Sequence, residues 1–201
     1  MPRPPVLSVL RLRPGDPLTE RPWQDSHLAH AKALEWAGDG HRVLWARPHR
    51  GLMLIQSTRP VDPATIPPGH QVTRQQVCTH WPTGTRVRWS LIANPAKAVP
   101  RHDGPDGRCI RPSPRVPLPV AERDQWLRRK LGGALSIGDI TGRPLGRRTG
   151  YRAGRRVVHE LHCWAGDAVV ACPDALAELI TCGVGPGKAY GAGLLLIREA
   201  A

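Results

Sequence analysis

Apolar positions along the chain fall into two successive series of strand-like and helix-like segments. In the first series a strand is followed by a helix and three further strands, each marked by alternating or helically spaced apolar residues. The predicted bounds are 6–12 for the first strand, about 24–37 for the helix, and 42–46, 52–57 and 71–77 for the other strands. Asp25 or Ser26 is the expected N-cap of the helix.

A seam of Pro and Gly at Trp81–Gly84 separates this series from a second one. The predicted elements are, in order, strand 85–93, helix 119–131, strands 155–164 and 167–171, helix 173–182 and a last strand at 194–197. Ala165 and Gly166 are predicted to form a turn. Two stretches without apolar periodicity interrupt the series, a long Arg/Pro/Gly excursion at 94–118 and a basic loop at 141–154.

Each half therefore has the order βαββαβ, which is that of the ferredoxin-like fold. The second helix of the first half is nearly absent, because a short Pro-rich stretch at 60–69 takes its place. The predicted fold class is α+β, with tandem ferredoxin-like, RRM-like domains. We expect the domain limits to be 1–82 and 85–201.

A glycine-rich segment follows the last predicted helix. Five glycines fall within the eleven residues Gly183–Gly193, so the backbone there can approach another chain or a polyanion closely. A nucleotide-binding P-loop is excluded, since Ala189 stands where Ser or Thr must bind magnesium and the segment follows a helix instead of opening one. The segment either ends the helix as a plain cap and turn or contacts nucleic acid through Gly185, Gly187 and Lys188.

The positive charge of the chain is concentrated in one third of its length. The formal net charge is +13, and residues 101–160 hold fourteen Lys or Arg against six Asp or Glu, whereas residues 161–201 are net acidic. A GC-rich genome would explain the preference for Arg over Lys but not this concentration. Such a patch is an electrostatic footprint for a phosphate backbone.

The candidate phosphate-binding residues come from the excursion, the helix 119–131 and the basic loop. In the helix, Leu127 and Leu131 share one face, so Arg128 and Arg129 point away from the core. A solvated charged face is the alternative, although the acidic residues nearby are too few to neutralise it. The candidates are Arg101, Arg108, Arg111, Arg115, Arg123, Arg128, Arg129, Lys130, Arg143, Arg147, Arg148 and Arg152.

Several other classes of protein are disfavoured by the composition. The chain has no Phe and no aromatic RNP pattern, which favours recognition of folded or double-stranded RNA by shape over base stacking on a sheet. No apolar run reaches the roughly 18 residues of a membrane span and the N-terminus is not a secretory signal, so a soluble cytoplasmic protein is expected. The cysteines form no CxxC pair, and His159 and His162 are expected on opposite faces of a strand, so no metal site is predicted.

Five motifs in the second part of the chain follow one another in a defined order. They are Ala93–Lys97 within the segment 86–97, Arg115–Leu118, Trp126–Leu131, Gly183–Ala189 and Gly191–Leu195. Together they resemble the CasE family, the CRISPR repeat endoribonucleases of type I-E Cascade complexes. The resemblance covers nearly the whole chain and is strongest from residue 85 onward.

The resemblance implies a tandem ferredoxin-like, RAMP-like fold and a defined activity. Members of the family bind the stem-loop of the CRISPR repeat, cut the precursor RNA at the base of the stem and commonly stay bound as a Cascade subunit. The implied partners are CRISPR RNA and other Cascade subunits, especially the backbone subunit, with no cofactor and no membrane. A non-catalytic cap that binds the crRNA hairpin and a general basic RNA-binding scaffold remain as alternative interpretations.

The resemblance also assigns catalytic residues by position. The family's catalytic His lies at the start of the first helix, which His27 matches, and Lys32 matches a Lys that some members have near the cleaved phosphate. His30 is the rival histidine, three residues on. An imidazole exchanges protons near neutral pH and a Lys stabilises the charge of the attacked phosphate, so cleavage to a 2′,3′-cyclic phosphate and a 5′-hydroxyl needs no metal. Family members often have a Tyr on the first strand or just before the His; here the first strand has none and Gln24 stands three residues before His27.

Overall fold

The computed structural model describes residues 4–13, 15, 20, 25–38, 42–99, 115–152 and 155–200, and gives only the backbone at Arg152 and Arg155. The strands are β1 Val6–Arg11, β2 Leu44–His49, β3 Leu52–Ser57, β4 Gln71–Gln76, β5 Arg86–Ala93, β6 Ala96–Ala98, β7 Arg115–Pro117, β8 Leu135–Arg152, β9 Arg155–Val170 and β10 Leu195–Glu199. The helices are α1 Ser26–Ala37, α2 Val120–Leu131 and α3 Pro173–Cys182.

Two four-stranded antiparallel sheets share one topology. The first sheet is ordered β2-β3-β1-β4 and the second is ordered β8-β9-β5-β10, so the four strands of each unit follow the same ferredoxin-like arrangement. The predicted α+β fold with tandem ferredoxin-like domains is confirmed. A single 3-10 turn, Pro63–Thr65, stands where the first domain would have its second helix. We propose the domain limits 1–82 and 85–201, because the two sheets fall on either side of that seam.

Three apolar cores join the layers of the molecule. Ala33 of α1 packs on the outer face of the first sheet, and Leu127 of α2 packs with Trp164 on the outer face of the second. The inner faces of the two sheets share a third core, in which Leu54 and Leu161 are buried. The layers therefore run helix, sheet, sheet, helices. Burial on both faces explains why β2 and β3 each begin with a continuous apolar run, Leu44–Ala46 and Leu52–Ile55, instead of an alternating pattern.

The hairpin β8–β9 is the largest difference from the sequence prediction. The predicted loop at 141–154 and the predicted turn at 165–166 are wrong, because β8 and β9 are paired strands that pass through both stretches. Two register shifts, one of them just before Gly146, accommodate residues that break a regular strand pattern. Gly166 does not turn the chain; because it lacks a Cβ, it allows the carbonyl oxygen of Asp139 to approach from β8.

The helices lie close to their predicted bounds. Asp25 is the N-cap of α1, and α2 and α3 begin and end within one residue of the prediction. The excursion at 94–118 starts and ends as the two-stranded ribbon β6–β7. None of the helices in the described ranges is long and apolar enough to cross a membrane.

Candidate active site

His27 lies in the first turn of α1, on the side of the first domain that faces the hairpin. Asp25 caps the helix, and its Oδ1 accepts a hydrogen bond from the backbone N–H of His27 at 2.8 Å. Ser26 is buried, whereas His27 is exposed. The cap thus fixes the backbone at His27 and leaves its imidazole accessible.

His30, the rival histidine, is half-buried one turn further along α1. Its Nδ1 accepts a hydrogen bond from the indole N–H of Trp45, with 3.2 Å between the two nitrogens. Burial lowers the pKa of His30, and the charge of His27 lowers it further. A neutral ring that satisfies a buried indole has a structural role, so the geometry favours His27 over His30 as the reactive imidazole.

Lys32 projects along α1 to an acidic neighbour. Its ammonium pairs with the carboxylate of Glu35, with distances from Nζ to the two oxygens of 2.7 and 3.0 Å. Residues five apart on an α-helix differ by about 140° around its axis, so the side chains of His27 and Lys32 diverge. The approach of Lys32 to the phosphate therefore stays a prediction.

The second domain completes the surroundings of His27. Gly150 of β8 lies close to the start of α1. A Cβ added at Gly150 would be only 3.3 Å from the backbone nitrogen of His27 and 2.8 Å from Cε1 of Tyr190. A small cleft at this junction is lined by Ser26, Trp45, Arg47, Arg148, Leu161, Tyr190 and Gly191. The first helix, the hairpin and the glycine-rich segment therefore meet at one place.

Two arginines give this junction a positive charge. Arg47 of β2 is buried and Arg148 of β8 is half-buried. Burial lowers the pKa of Arg47 to about 10, with the charge of Arg148 acting in the same direction and that of Glu20 opposing it. Burial also lowers the pKa of Arg148. A guanidinium keeps its proton at neutral pH, so both side chains carry a positive charge at this junction.

Arg123, which was predicted to bind phosphate, is buried instead. Its Nε donates to the carbonyl oxygen of Leu118 at 3.0 Å, and its Nη2 pairs with Oε2 of Glu160 at 2.7 Å. Arg147 of β8 pairs with the other oxygen of Glu160 at 3.3 Å. Arg123 precedes Leu127 by four residues, so helical spacing alone places it on the apolar face of α2. We therefore remove Arg123 from the candidate RNA-binding residues.

Most of the other basic candidates are exposed. Arg128 is partly engaged, since its guanidinium donates to the carbonyl oxygens of Ile137 and Gly138 at 3.2 and 3.1 Å. The exposed candidates are Arg115, Arg128, Arg129, Lys130, Arg143 and Arg147. Arg101, Arg108 and Arg111 lie outside the described residues, as does the side chain of Arg152.

The glycine-rich segment is a loop that packs on α2. Gly185 has a φ of +72° and lies against the ring of Trp126, where an added Cβ would come within 3.0 Å. Gly187 has a φ of +89°, in the left-handed region that favours glycine. The ammonium of Lys188 donates to the carbonyl oxygen of Gly185 at 2.9 Å. Close packing and the left-handed backbone thus explain why glycine occupies these positions, and a role of this loop in RNA binding remains a prediction.

Arg42 is a cation that sequence reasoning missed. Its Nη1 donates to the carbonyl oxygen of Cys182 at 3.2 Å, which brings a first-domain cation to the end of α3. Burial lowers the pKa of Lys188, and the charges of Arg42 and Lys130 lower it further. Three cations from separate segments therefore converge at the glycine-rich loop. No local pattern marks Arg42, because its neighbours are distant in sequence.

The junction around His27 offers proton transfer and cationic side chains. Among the described residues, no group of three or more His, Cys, Asp or Glu side chains is placed to hold a metal ion. The first turn of α1 thus carries an accessible imidazole, and the junction on which it packs holds one buried and one half-buried arginine. These groups suit general acid–base chemistry at a phosphodiester.

Comparison with known proteins identifies the family. A family model described as "CRISPR associated protein" matches residues 7–199. The CRISPR system Cascade subunit CasE of Escherichia coli (strain K12) is 33% identical over 153 residues, which cover 71% of this chain and 72% of that protein. The chain belongs to the CasE family of CRISPR-associated proteins.

Solved structures share the fold of this CasE-family chain. The structure of CRISPR endoribonuclease Cse3 bound to 19 nt RNA has a TM-score of 0.79 at 24% identity, covering 99% of this chain and 100% of that one. Thermus thermophilus Cse3, bound to an RNA representing a pre-cleavage complex, has a TM-score of 0.75 at 25% identity, covering 98% and 100%. Cas6e from Escherichia coli K-12 has a TM-score of 0.71 at 24% identity, again covering 98% and 100%.

The aromatic side chain beside the first turn of α1 is a second residue that sequence reasoning missed in this CasE-family chain. The family resemblance implies a Tyr on the first strand or just before His27, and the first strand of this chain has none. The structure instead has Tyr190 of the glycine-rich loop at the same junction, in contact distance of Gly150. No local sequence signal joins them, because Gly150 and Tyr190 lie far apart along the second domain and meet only when that domain is folded.

Proposed function

We propose that this CasE-family protein is a metal-independent endoribonuclease that binds the stem-loop of the CRISPR repeat, cuts precursor crRNA at the base of the stem and stays bound as a Cascade subunit. One observation carries the proposal: the exposed His27, at the position of the family's catalytic His, lies where the first helix, the hairpin and the glycine-rich loop meet. Because the chain belongs to the CasE family, a histidine at that position is the candidate for the catalytic residue.

The names of its relatives support the partners. The Escherichia coli relative is named as a Cascade subunit, and the similar Thermus thermophilus protein is described bound to an RNA in a pre-cleavage complex. The proposed partners are accordingly CRISPR RNA and other Cascade subunits, including the backbone subunit.

The proposed chemistry is an internal transfer within the RNA. The 2′-hydroxyl loses its proton and attacks the adjacent phosphorus, the bond to the 5′-oxygen breaks, and that oxygen receives a proton. His27 carries out one of these two proton transfers. The products are a 2′,3′-cyclic phosphate and a 5′-hydroxyl, and no water or metal enters the balance.

A cation beside the attacked phosphate would stabilise the charge that develops there. Lys32 is the candidate from the family resemblance, but it pairs with Glu35. Arg148 lies at the junction itself, among the residues that line the cleft with Ser26. Its place at the junction makes Arg148 a second candidate for this role, to be tested beside Lys32.

The grip on the stem is proposed to come mainly from exposed cations outside the junction, together with Arg148 at the junction and the glycine-rich loop. Arg129 and Lys130 extend from α2 into solvent, and Lys188 adds a cation at the loop. The proposed RNA-binding residues are Arg115, Arg128, Arg129, Lys130, Arg143, Arg147, Arg148, Gly185, Gly187 and Lys188, with Arg101, Arg108, Arg111 and Arg152 from the undescribed parts.

The experiment that tests the proposed chemistry uses a precursor RNA that contains one repeat, incubated with the protein in excess EDTA. A single 2′-deoxy substitution at the nucleotide before the cut is expected to stop cleavage and leave binding unchanged, because it removes the nucleophile. The downstream fragment should accept phosphate from polynucleotide kinase without prior dephosphorylation. Fragments with a 5′-phosphate, or cleavage that resists the 2′-deoxy substitution, would refute the mechanism. Tight binding without any cleavage would favour the non-catalytic cap.

A further inference from the structure

The ring of Tyr190 is fixed in place from several sides. It lies in a 3-10 turn, Lys188–Tyr190, flanked by Gly187 and Gly191, which both have left-handed backbone conformations. Its ring packs against the imidazole of His159 in a tilted arrangement, with 4.2 Å between the ring centroids and 44° between the ring planes. Because both the backbone and the ring are constrained, Tyr190 presents one face of the glycine-rich loop in a defined orientation.

His159, which packs against Tyr190, is itself held by the start of the excursion. The side-chain amide nitrogen of Asn94 lies 2.8 Å from Nδ1 of His159. His159 is half-buried on β9, on the same side of the hairpin as Gly150 of β8. Asn94, His159 and Tyr190 thus form a row of contacts that runs from the end of β5 toward the start of α1.

Gly150 is the point at which this row meets the candidate active site. A methyl group there would lie 2.8 Å from Cε1 of Tyr190 and 3.3 Å from the backbone nitrogen of His27, both closer than side chains normally pack. Gly150 is buried, so no solvent separates these groups. The Tyr190 ring and the first turn of α1 therefore both pack against β8 at Gly150.

We propose that Tyr190 is a positioning residue for His27, with its aromatic ring holding β8, through Gly150, in register with the first turn of α1. This inference rests on the proposed function and deepens it, since it makes the second domain responsible for where the imidazole of the first domain stands. The described contacts of Tyr190 involve its ring and not its hydroxyl. The aromatic ring of Tyr190, and not its hydroxyl, is therefore expected to affect cleavage.

The consequence for cleavage follows from geometry. Displacement of a reacting group by about 1 Å can slow a reaction about a hundredfold even when the substrate still binds. Removal of the ring leaves β8 without its support at the start of α1. The stem is proposed to be held by exposed cations elsewhere, so its affinity should survive the change.

The test measures single-turnover cleavage of a CRISPR repeat hairpin RNA at saturating full-length protein, together with its Kd. Tyr190→Leu is expected to lower the rate about 10- to 100-fold with Kd within about twofold of wild type. Tyr190→Phe keeps the ring and should restore the rate to within about threefold. Tyr151→Leu makes the same change at the other tyrosine of the chain, which is exposed, and should leave the saturated rate unchanged. If the leucine variant does not fold, Tyr190→Met, which fills the space without a rigid ring, should give the same loss.

A second readout separates this inference from the proposed function. In protein with 15N-labelled histidines, the ring resonances of His27, assigned by their loss in His27→Ala, should shift in Tyr190→Leu and return in Tyr190→Phe. This measurement needs no RNA and no cleavage. An unchanged rate and unchanged His27 resonances in Tyr190→Leu would overturn the positioning role. Equal losses in the leucine and phenylalanine variants would also overturn it, because they would assign the effect to the hydroxyl.

Discussion

The indole N–H of Trp45 donates a hydrogen bond to Nδ1 of His30, with 3.2 Å between the two nitrogens. Trp45 is buried in β2, so this bond satisfies a donor that has no access to water. The same bond occupies the rival histidine of α1. His27, one turn earlier, is exposed and uses only its backbone N–H in the cap with Asp25.

The first prediction distinguishes the two histidines. His30→Ala should destabilise the fold by about 1–3 kcal/mol, because the indole N–H loses its acceptor, and should leave the saturated cleavage rate near wild type. Urea unfolding and single-turnover cleavage measure the two effects. His80→Ala, at an exposed histidine, should change neither. Abolished cleavage with unchanged stability in His30→Ala would make His30 the reactive residue.

The second prediction concerns the glycine at the junction. Gly150→Ala places a methyl group 2.8 Å from the Tyr190 ring, so the ring or β8 must move and His27 must move with it. We expect a loss of cleavage of about tenfold or more with RNA affinity retained. Gly133→Ala is the matched control, because a Cβ there meets nothing within 4 Å. Equal activity of the two variants would show that this contact does not position the site.

The third prediction separates surface cations from interior ones. Arg129→Ala should weaken binding of the repeat hairpin and lower the slope of log K against log salt by about one. The variant would contact one phosphate fewer, so its binding would release one counterion fewer. Arg123→Ala should instead lower stability by about 3 kcal/mol, because it leaves Glu160 without its buried partner. Salt titrations of binding and urea unfolding measure the two effects. A salt slope altered by Arg123→Ala but not by Arg129→Ala would reverse our assignment.

The fourth prediction concerns acid. Burial is the main reason that the pKa values of His30, His159 and His162 are lowered in the folded chain. Below a pH of about 6.5 these histidines take up protons more readily in the unfolded chain than in the folded chain. Their contribution to the free energy of unfolding is therefore complete above that pH and is lost as the pH falls through the lower pKa values of the folded chain. The free energy of unfolding in urea should drop between pH 7.5 and pH 5.5. His162→Asn should flatten this dependence, and a stability that rises toward pH 5.5 would contradict it.

Local chemistry explains which parts of the fold the sequence predicts. Asp25 caps α1 and Gly183 follows the end of α3, and both signals act within a few residues of the element that they bound. The hairpin β8–β9 carries no such signal, because Arg, Gly and Pro dominate β8 and its strand character comes from pairing with β9 across two register shifts. Pairing between strands overrides the weak local preference of such a segment.

The residues of the candidate site also fall into those that local sequence signals predict and those that only the folded structure reveals. His27 could be assigned from its place at the start of a helix, since that place depends on local signals and on the family resemblance. The burial of Arg123 was predictable in principle from its spacing to Leu127, whereas the contact of Tyr190 with Gly150 was not. That contact joins the glycine-rich loop to a strand that comes much earlier in the same domain, and only the packed structure brings them together.

The central claim, that the imidazole of His27 drives metal-independent cleavage at the base of the repeat stem, is tested most directly by one comparison. Wild type and His27→Ala are each incubated in EDTA, at saturating concentration, with a labelled repeat hairpin RNA. The account predicts equal Kd values, one cut at the stem base by wild type, and a rate at least about a hundredfold lower for His27→Ala. Cleavage by His27→Ala at the wild-type rate, or wild-type protein that binds the hairpin and does not cut it, would contradict the account.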